Sequence, residues 1–218
     1  MANRSFLVIG LGTFGSTLAS ELHRFGNDVT GVDIDEGVVA DAAATIGSAL
    51  IVDARSEGAL REAGAGEVDV GVVAAASDLE LSVMATINLK MLGVPQVWAK
   101  ATSRTHHRIL SKLGVDRVIH PEEEVAGRIA QILHNPQVHD WMGLGNGLSV
   151  VSFEAADALD GRSIADLRLA KRFDLRCLGV MRGTEFIGSD QAPCVLEAGD
   201  RLVLMGRRGA LRDFADSL

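Results

Sequence analysis

The sequence predicts an α/β protein, with a Rossmann-like doubly wound parallel sheet followed by a small α+β domain. Three observations predict it. Strand-like and helix-like segments alternate through the first 120 residues with short connections. A glycine-rich turn, Gly10-Leu11-Gly12-Thr13-Phe14-Gly15, joins the first strand to the first helix. Beyond residue 134 the alternation gives way to a strand-rich, antiparallel pattern.

The elements follow in order. Phe6-Leu7-Val8-Ile9 reads as a buried strand, and Phe14, Leu18, Leu22 and Phe25 recur at helical spacing. Asp28 to Val32 is a second strand, Glu36 to Ile46 an Ala-rich helix, and Ala49 to Val52 a third strand. Ser56 caps a short helix that Gly64 ends. Asp69 to Ala75 is apolar enough for a strand buried on both faces. A helix over Leu79 to Leu92, a strand over Gln96 to Ala99, a helix over Arg104 to Leu113 and a strand over Arg117 to Ile119 complete the series.

A helix then starts at Pro121, where Glu122, Glu123 and Glu124 complement the positive end of its dipole. Val125, Ile129, Ile132 and Leu133 form its apolar stripe until Asn135-Pro136 interrupts it. A short segment over Val138 to Met142 follows, and Gly143-Leu144-Gly145-Asn146-Gly147 reads as a flexible joint. The predicted organisation is a nucleotide-binding domain over 1–134, with a connecting helix from about 121, a hinge over 135–147 and a C-terminal domain over 148–218. The last domain has strands at Val150 to Phe153, Arg176 to Met181, Glu185 to Ile187 and Arg201 to Met205. Its helices are expected at Ile164 to Arg172 and Leu211 to Leu218.

Composition narrows the function. The 218 residues carry a net charge of −8, which argues against a nucleic-acid reader with its basic face. No apolar run reaches the roughly 18–20 residues that span a bilayer, and no signal-peptide pattern opens the chain. Cys177 and Cys194 fit neither a zinc knuckle nor a redox pair and read as buried core thiols of a reducing cytosol. Adjacent His106 and His107 point about 100° apart on a helix and make a poor metal pair, so they read as solvated surface residues.

The glycine turn carries the chemistry. Gly10 permits the tight turn, Gly12 lets phosphates approach the backbone, and Gly15 lets helix and strand pack closely. Thr13 and Phe14 complete the turn at a helix N-terminus whose free N–H groups suit an anion. Asp33, 23 residues beyond Gly10, is placed to accept ribose hydroxyls and to repel a 2′-phosphate. Asp53, after the third strand, either contacts a base or caps the next helix. Ala74-Ala75-Ala76-Ser77 follows the fourth strand at the same end of the sheet, and Lys100, closing the fifth, is either a phosphate contact or a surface lysine. The glutamates at 122–124 are either a solvated helix start or carboxylates able to hold a divalent cation beside a polyphosphate.

The fingerprint is shared by dehydrogenases, so a small NAD-dependent oxidoreductase is the alternative reading. A dehydrogenase needs an acid/base and an anion clamp over its nicotinamide. The segment after the hinge holds no histidine and no evident constellation. A regulator needs only a ligand site, a hinge and a partner surface.

Several longer stretches resemble the RCK (KTN) proteins, the cytosolic regulatory subunits of bacterial Ktr/Trk potassium-uptake systems, above all the KtrA type. They are Phe6 to Gly12 with Phe14-Gly15, Val32-Asp33-Ile34, Val97 to Ala101, Lys112 to Glu122, Leu159 to Leu167 and Gly199 to Gly206. The resemblance implies a non-enzymatic gating subunit, cytoplasmic and held at the inner face of the membrane by a membrane-embedded potassium-translocating partner. It implies homodimers assembled into octameric rings, with ATP, ADP or NAD(H) in the N-terminal domain. By motif, Gly10, Gly12 and Gly15 cradle phosphates, Asp33 holds ribose and Lys100 lies near phosphates. Glu122 matches a glutamate that holds a divalent cation, Mg²⁺ or Ca²⁺, at the dimer interface. The helix from Pro121 matches a crossover helix swapped between partners. Some relatives bind cyclic di-AMP in the C-terminal domain. Two departures stand out: Thr13 replaces an arginine that meets the terminal phosphate of ATP, which shifts the expectation toward ADP, AMP or NAD, and Ala170 replaces an arginine of the C-terminal segment.

Overall fold

The computed structural model describes residues 3–75, 78–155, 159–188 and 194–217. The chain forms two compact units, residues 1–122 and 123–218.

The first unit is a six-stranded parallel sheet. Its strands are β1 (Ser5–Ile9), β2 (Asp28–Asp33), β3 (Ser48–Ile51), β4 (Val70–Val73), β5 (Gln96–Lys100) and β6 (Arg117–Ile119), in the order β3-β2-β1-β4-β5-β6. Helices α1 (Thr13–Arg24), α2 (Glu36–Ala43), α3 (Glu57–Glu62), α4 (Leu79–Met91) and α5 (Arg104–Lys112) connect them. The order reverses between β1 and β4, and there the connections after the two strands leave the sheet in opposite directions and open a crevice at the strands' carboxyl ends. The central strands are apolar because helices cover both faces. Leu7, Ile9, Val73 and Val97 pack into one core layer, and Val8, Val29, Val70 and Val72 into the other.

Helices α2, α3, α4 and α5 begin on side-chain caps: Asp35, Ser56, Asp78 and Ser103 accept from backbone N–H groups of the first turn. The cap of α3 is thus Ser56, and Asp53 does not serve as one. Ala76 and Ser77, part of the expected ligand-facing stretch after β4, lie outside the described residues.

The second unit begins with α6 (Pro121–His134), whose residues from Glu123 onward belong to it. By compactness the connecting helix groups with this unit from Glu123 onward, whereas the sequence division keeps it with the first domain to 134. Ile132 packs against the core of this unit, and Arg128 pairs with Asp140 at 2.8 Å. The predicted flexible joint is also corrected. Residues 138–145 are a strand, β7 (Val138–Gly145), that pairs with β8 (Leu148–Glu154) around Asn146-Gly147. Both turn residues have positive φ, 52° and 76°, the conformation of the tight hairpin turn that Asn-Gly favours. Strands β9 (Arg176–Arg182), β10 (Glu185–Gly188) and β11 (Arg201–Arg207) complete an antiparallel sheet in the order β10-β9-β11-β8-β7.

The predicted helix over 164–172 is broken in two. A 3-10 turn (Ile164–Leu167) and α7 (Leu169–Phe173) meet at Arg168, which is left-handed at φ 48°. The closing helix α8 (Arg208–Ala215) starts earlier than expected and brings Phe214 edge-on to Phe153 and Phe173, with ring centroids 5.5 Å apart in both pairs. Cys177 and Cys194 are half-buried at the margin of this core rather than inside it. Arg182 reaches buried Asp200 at 2.8 Å and Glu197 at 2.6 Å.

Candidate functional site

The glycine turn sits at the point where the strand order reverses. Gly10 has φ +90°, and a Cβ there would lie 2.7 Å from the backbone nitrogen of Ala75, so only glycine lets the β1 and β4 exits approach. A Cβ on Gly15 would lie 1.8 Å from the Gly10 carbonyl oxygen, which keeps α1 against its own turn. Around Gly12 the space is open to 4 Å. Gly12 is the N-cap of α1 and supplies no capping side chain, and the first turn of α1 carries no acid. The N-terminus of α1 thus presents backbone donors to the crevice without a side chain to satisfy them.

Asp33 ends β2 beside this turn. Its Oδ2 accepts from the Leu11 N–H at 2.7 Å and its Oδ1 from the Asp35 N–H at 3.1 Å. The carboxylate therefore has a fixed position at the crevice edge, with lone pairs left over.

An open cleft of about 830 Å³ is lined by Gly10, Gly12, Thr13, Phe14, Gly15, Asp33, Ala75, Lys100 and Glu122. Thr17, Ala74, Leu81 and Thr102 complete its walls. The cleft gathers every sequence-predicted site residue except Asp53. Lys100 is not a surface lysine: its side chain is 13% exposed, lies 5.4 Å from the centre of the Phe14 ring and pairs with Glu122 at 2.5 Å. The Lys100 ammonium, together with a backbone hydrogen bond at the start of α6, holds the Glu122 carboxyl below the usual glutamate range.

Asp53 lines a smaller neighbouring pocket that shares Gly10, Asp33 and Ala75 with the cleft. Its Oδ1 accepts from the Arg55 N–H at 3.0 Å and lies 3.4 Å from the Arg55 guanidinium. Arg55 also reaches Asp78 at 2.5 Å. Sequence reading passed over Arg55, Leu81 and Thr102; the first follows Asp53 by two residues at a strand's carboxyl end, which was the available signal for it.

The expectation of solvated histidines is corrected. His106 is buried and its Nε2 lies 3.0 Å from Ser82 Oγ. Burial, and then the neighbouring His120, push its pKa down, so it is neutral at pH 7. His107 stacks on His120, with Nδ1 2.8 Å from Nε2. His106 meets α4 at Ser82, and half-buried His107 meets His120 just beyond β6, contacts that the sequence period did not reveal.

Glu122 is a single carboxylate already engaged by Lys100, and among the described residues no group of three His, Cys, Asp or Glu side chains stands close enough to hold a metal ion. The residues of one chain do not by themselves fit a divalent cation here.

The strand order, the glycine turn at its switch point and the acid after β2 define a Rossmann-type domain of the nucleotide-binding class. The TrkA-N domain family matches residues 6–121 and the TrkA-C domain family residues 148–218, so the chain belongs to the TrkA-N/TrkA-C proteins. It is 34% identical over 212 residues to Ktr system potassium uptake protein A of Bacillus subtilis (strain 168), covering 97% of this chain and 96% of that protein. It is 33% identical to the protein of the same name from Vibrio alginolyticus, over 99% of this chain and 98% of that one. In architecture it is similar to the GsuK channel, with a TM-score of 0.69 and 16% identity, over 98% of this chain but only 39% of GsuK. The TrkA-N domain of the inner membrane protein ybaL from Escherichia coli aligns with 61% of this chain and 98% of its own length at a TM-score of 0.53 and 16% identity.

Proposed function

We propose that the chain is a nucleotide-binding regulatory subunit of a potassium-uptake system, working in the cytoplasm on a membrane-embedded potassium-translocating partner. The observation that carries this reading is the match, over nearly the whole of both chains, to Ktr system potassium uptake protein A, joined to a cleft whose donors suit a phosphate. In this reading the N-terminal unit is the sensor. Gly10, Gly12, Thr13, Phe14 and Gly15 receive phosphates, Asp33 takes ribose hydroxyls, and Asp53 and Ala75 border the base. Lys100 supplies the cleft's ammonium.

The ligand is an adenine nucleotide. Thr13 offers a hydroxyl where a guanidinium would be needed to grip a third phosphate, which favours ADP or NAD(H) over ATP. Glu122 becomes a ligand for Mg²⁺ or Ca²⁺ only with phosphate oxygens or a second copy of the chain beside it, so no step is assigned to a cation. Phosphates that draw Lys100 away from Glu122 release the first turn of α6, and that carries the ligand state out of the cleft. The exposed apolar residues of α6, Val125, Ile129 and Leu133, suit burial in a homodimer, the unit of an octameric ring. The C-terminal unit is the place for cyclic di-AMP if this chain shares that property of its relatives. The reading assigns no catalysis.

Calorimetric titration of the full chain with ATP, ADP, NAD and NADH, each with and without Mg²⁺ or Ca²⁺, tests the site. Failure of all four to bind overturns it. Turnover of a nicotinamide cofactor overturns the regulatory reading, and a strict monomer at micromolar concentration overturns the ring.

A further inference from the structure

The smaller pocket lies on the β3 side of the glycine turn and shares Gly10, Asp33 and Ala75 with the main cleft. A nucleotide with phosphates on α1 and ribose at Asp33 has this pocket as the place for its base. Ile34, Leu81 and Ala75 supply apolar walls, and Arg55 stands among them. We infer that Arg55 is the stacking platform for the adenine base and thereby a specificity-determining residue of the nucleotide site. This inference rests on the nucleotide-binding reading above.

The position of Arg55 is fixed from both sides. Its backbone N–H donates to Asp53 Oδ1 at 3.0 Å, and its carbonyl accepts from Asn88 Nδ2 at 3.0 Å. The same amide holds the Ala54 carbonyl at 2.9 Å. Asn88 is buried on α4, so the strand exit is tied to a rigid helix. The side chain is equally held: Nη1 lies 3.4 Å from Asp53 and Nη2 2.5 Å from Asp78. Asp78 is itself fixed as the N-cap of α4.

Two consequences follow from chemistry. A guanidinium flanked by two carboxylates is a poor partner for a phosphate, so the anion stays with α1 and Lys100. Two of its five N–H donors point to carboxylates, at 2.5 Å to Asp78 and 3.4 Å to Asp53, and its flat face is the part that a base would meet. That face is planar, delocalised and weakly hydrated, which suits stacking on a purine. Holding it in place beforehand removes the rotamer cost of ordering an arginine at the moment of binding.

The test compares ADP binding by calorimetry to the full-length chain and to Arg55→Ala, Arg55→Lys and Arg55→Phe, at low and at high salt, with thermal melting to confirm folding. A base-stacking contribution predicts that Arg55→Ala weakens ADP about tenfold. That factor is the same at both salt concentrations, Arg55→Phe restores most of the affinity, and Arg55→Lys does not. Unchanged affinity in Arg55→Ala overturns the inference. So does rescue by lysine but not phenylalanine, or a loss that fades with salt, either of which assigns Arg55 to charge. A native chain that binds no adenine nucleotide overturns the nucleotide reading and this inference together, whereas the other outcomes touch Arg55 alone.

Discussion

The Lys100 ammonium lies 2.5 Å from the Glu122 carboxylate, linking the end of β5 to the first turn of α6 across the mouth of the cleft. The pair is asymmetric: Lys100 is largely buried, while Glu122 is 64% exposed. A phosphate entering the cleft would meet an ammonium already shared with a carboxylate.

Removal of that ammonium is expected to cost affinity. Lys100→Met weakens ADP about tenfold, the scale of one charge-assisted phosphate contact. Glu122→Gln has the opposite sign without divalent cations, because it removes the competing carboxylate and tightens ADP severalfold. Calorimetry in chelator reads both; weaker binding in Glu122→Gln would place that carboxylate among the groups that hold the ligand.

The glycines separate folding from binding. Gly15→Ala drives a methyl group into the Gly10 carbonyl and is expected to destabilise the first unit by about 3 kcal/mol or more. Gly12→Ala meets open space, so its melting temperature stays close to that of the native chain while phosphate approach is blocked. Equal melting losses in the two variants would contradict this division.

Asp33 has a structural task and, in the proposed reading, a ligand-facing one. Asp33→Ala leaves the Leu11 and Asp35 N–H groups without their acceptor, at about 1–2 kcal/mol of stability. It also weakens ADP, whereas pyrophosphate, which has no ribose, competes as well as before. A variant with native ADP affinity would remove Asp33 from the site.

The Arg182–Asp200 pair sets an acid limit for the second unit. Hydrogen bonding to Arg182, with a further bond from the Glu197 N–H, holds the Asp200 carboxyl below the usual aspartate range. A carboxyl depressed by folding stabilises fully above its unfolded pKa of roughly 3.9, and that contribution is lost as pH falls through the folded value. Arg182→Ala leaves the buried Asp200 carboxylate without its guanidinium and is expected to destabilise the second unit at pH 7. Melting temperatures from neutral to strongly acidic pH should show the gap between native chain and variant closing only below about pH 4. A gap constant across that range would deny the pair its role.

The apolar stripe of α6 is tested by assembly. Leu133 is 79% exposed and Val125 and Ile129 about half exposed. Ile129→Glu is expected to lower the mass measured by light scattering with no loss of helix, and an unchanged mass would place the interface elsewhere.

The parallel series in the first unit was legible because each segment satisfies its own local rule. Val70–Val73 is uninterrupted enough for a central strand, and Asp35, Ser56, Asp78 and Ser103 announce the helices they cap. Gly10, Gly12, Gly15 and Asp33 could be placed at one crevice from sequence because the fingerprint fixes residue type and spacing together. The expected joint over 143–147 is instead a hairpin, because Asn146-Gly147 turns between two pairing runs, a signal that the neighbouring glycines mask. The helix over 164–172 was misread because its break rests on one non-glycine residue, Arg168, held left-handed by its surroundings.

Local chemistry along the chain was therefore sufficient for the fold class of the first unit and for the residues that turn and cap. The tertiary structure alone decided which long side chains meet. Lys100 and Glu122 are 22 residues apart, Arg55 and Asp78 are 23, and His107 and His120 are 13. Each pair is brought together by strand order at one end of a sheet. That order arises from burying apolar faces on both sides of β1 and β4, a property of the whole core that no local window of sequence contains.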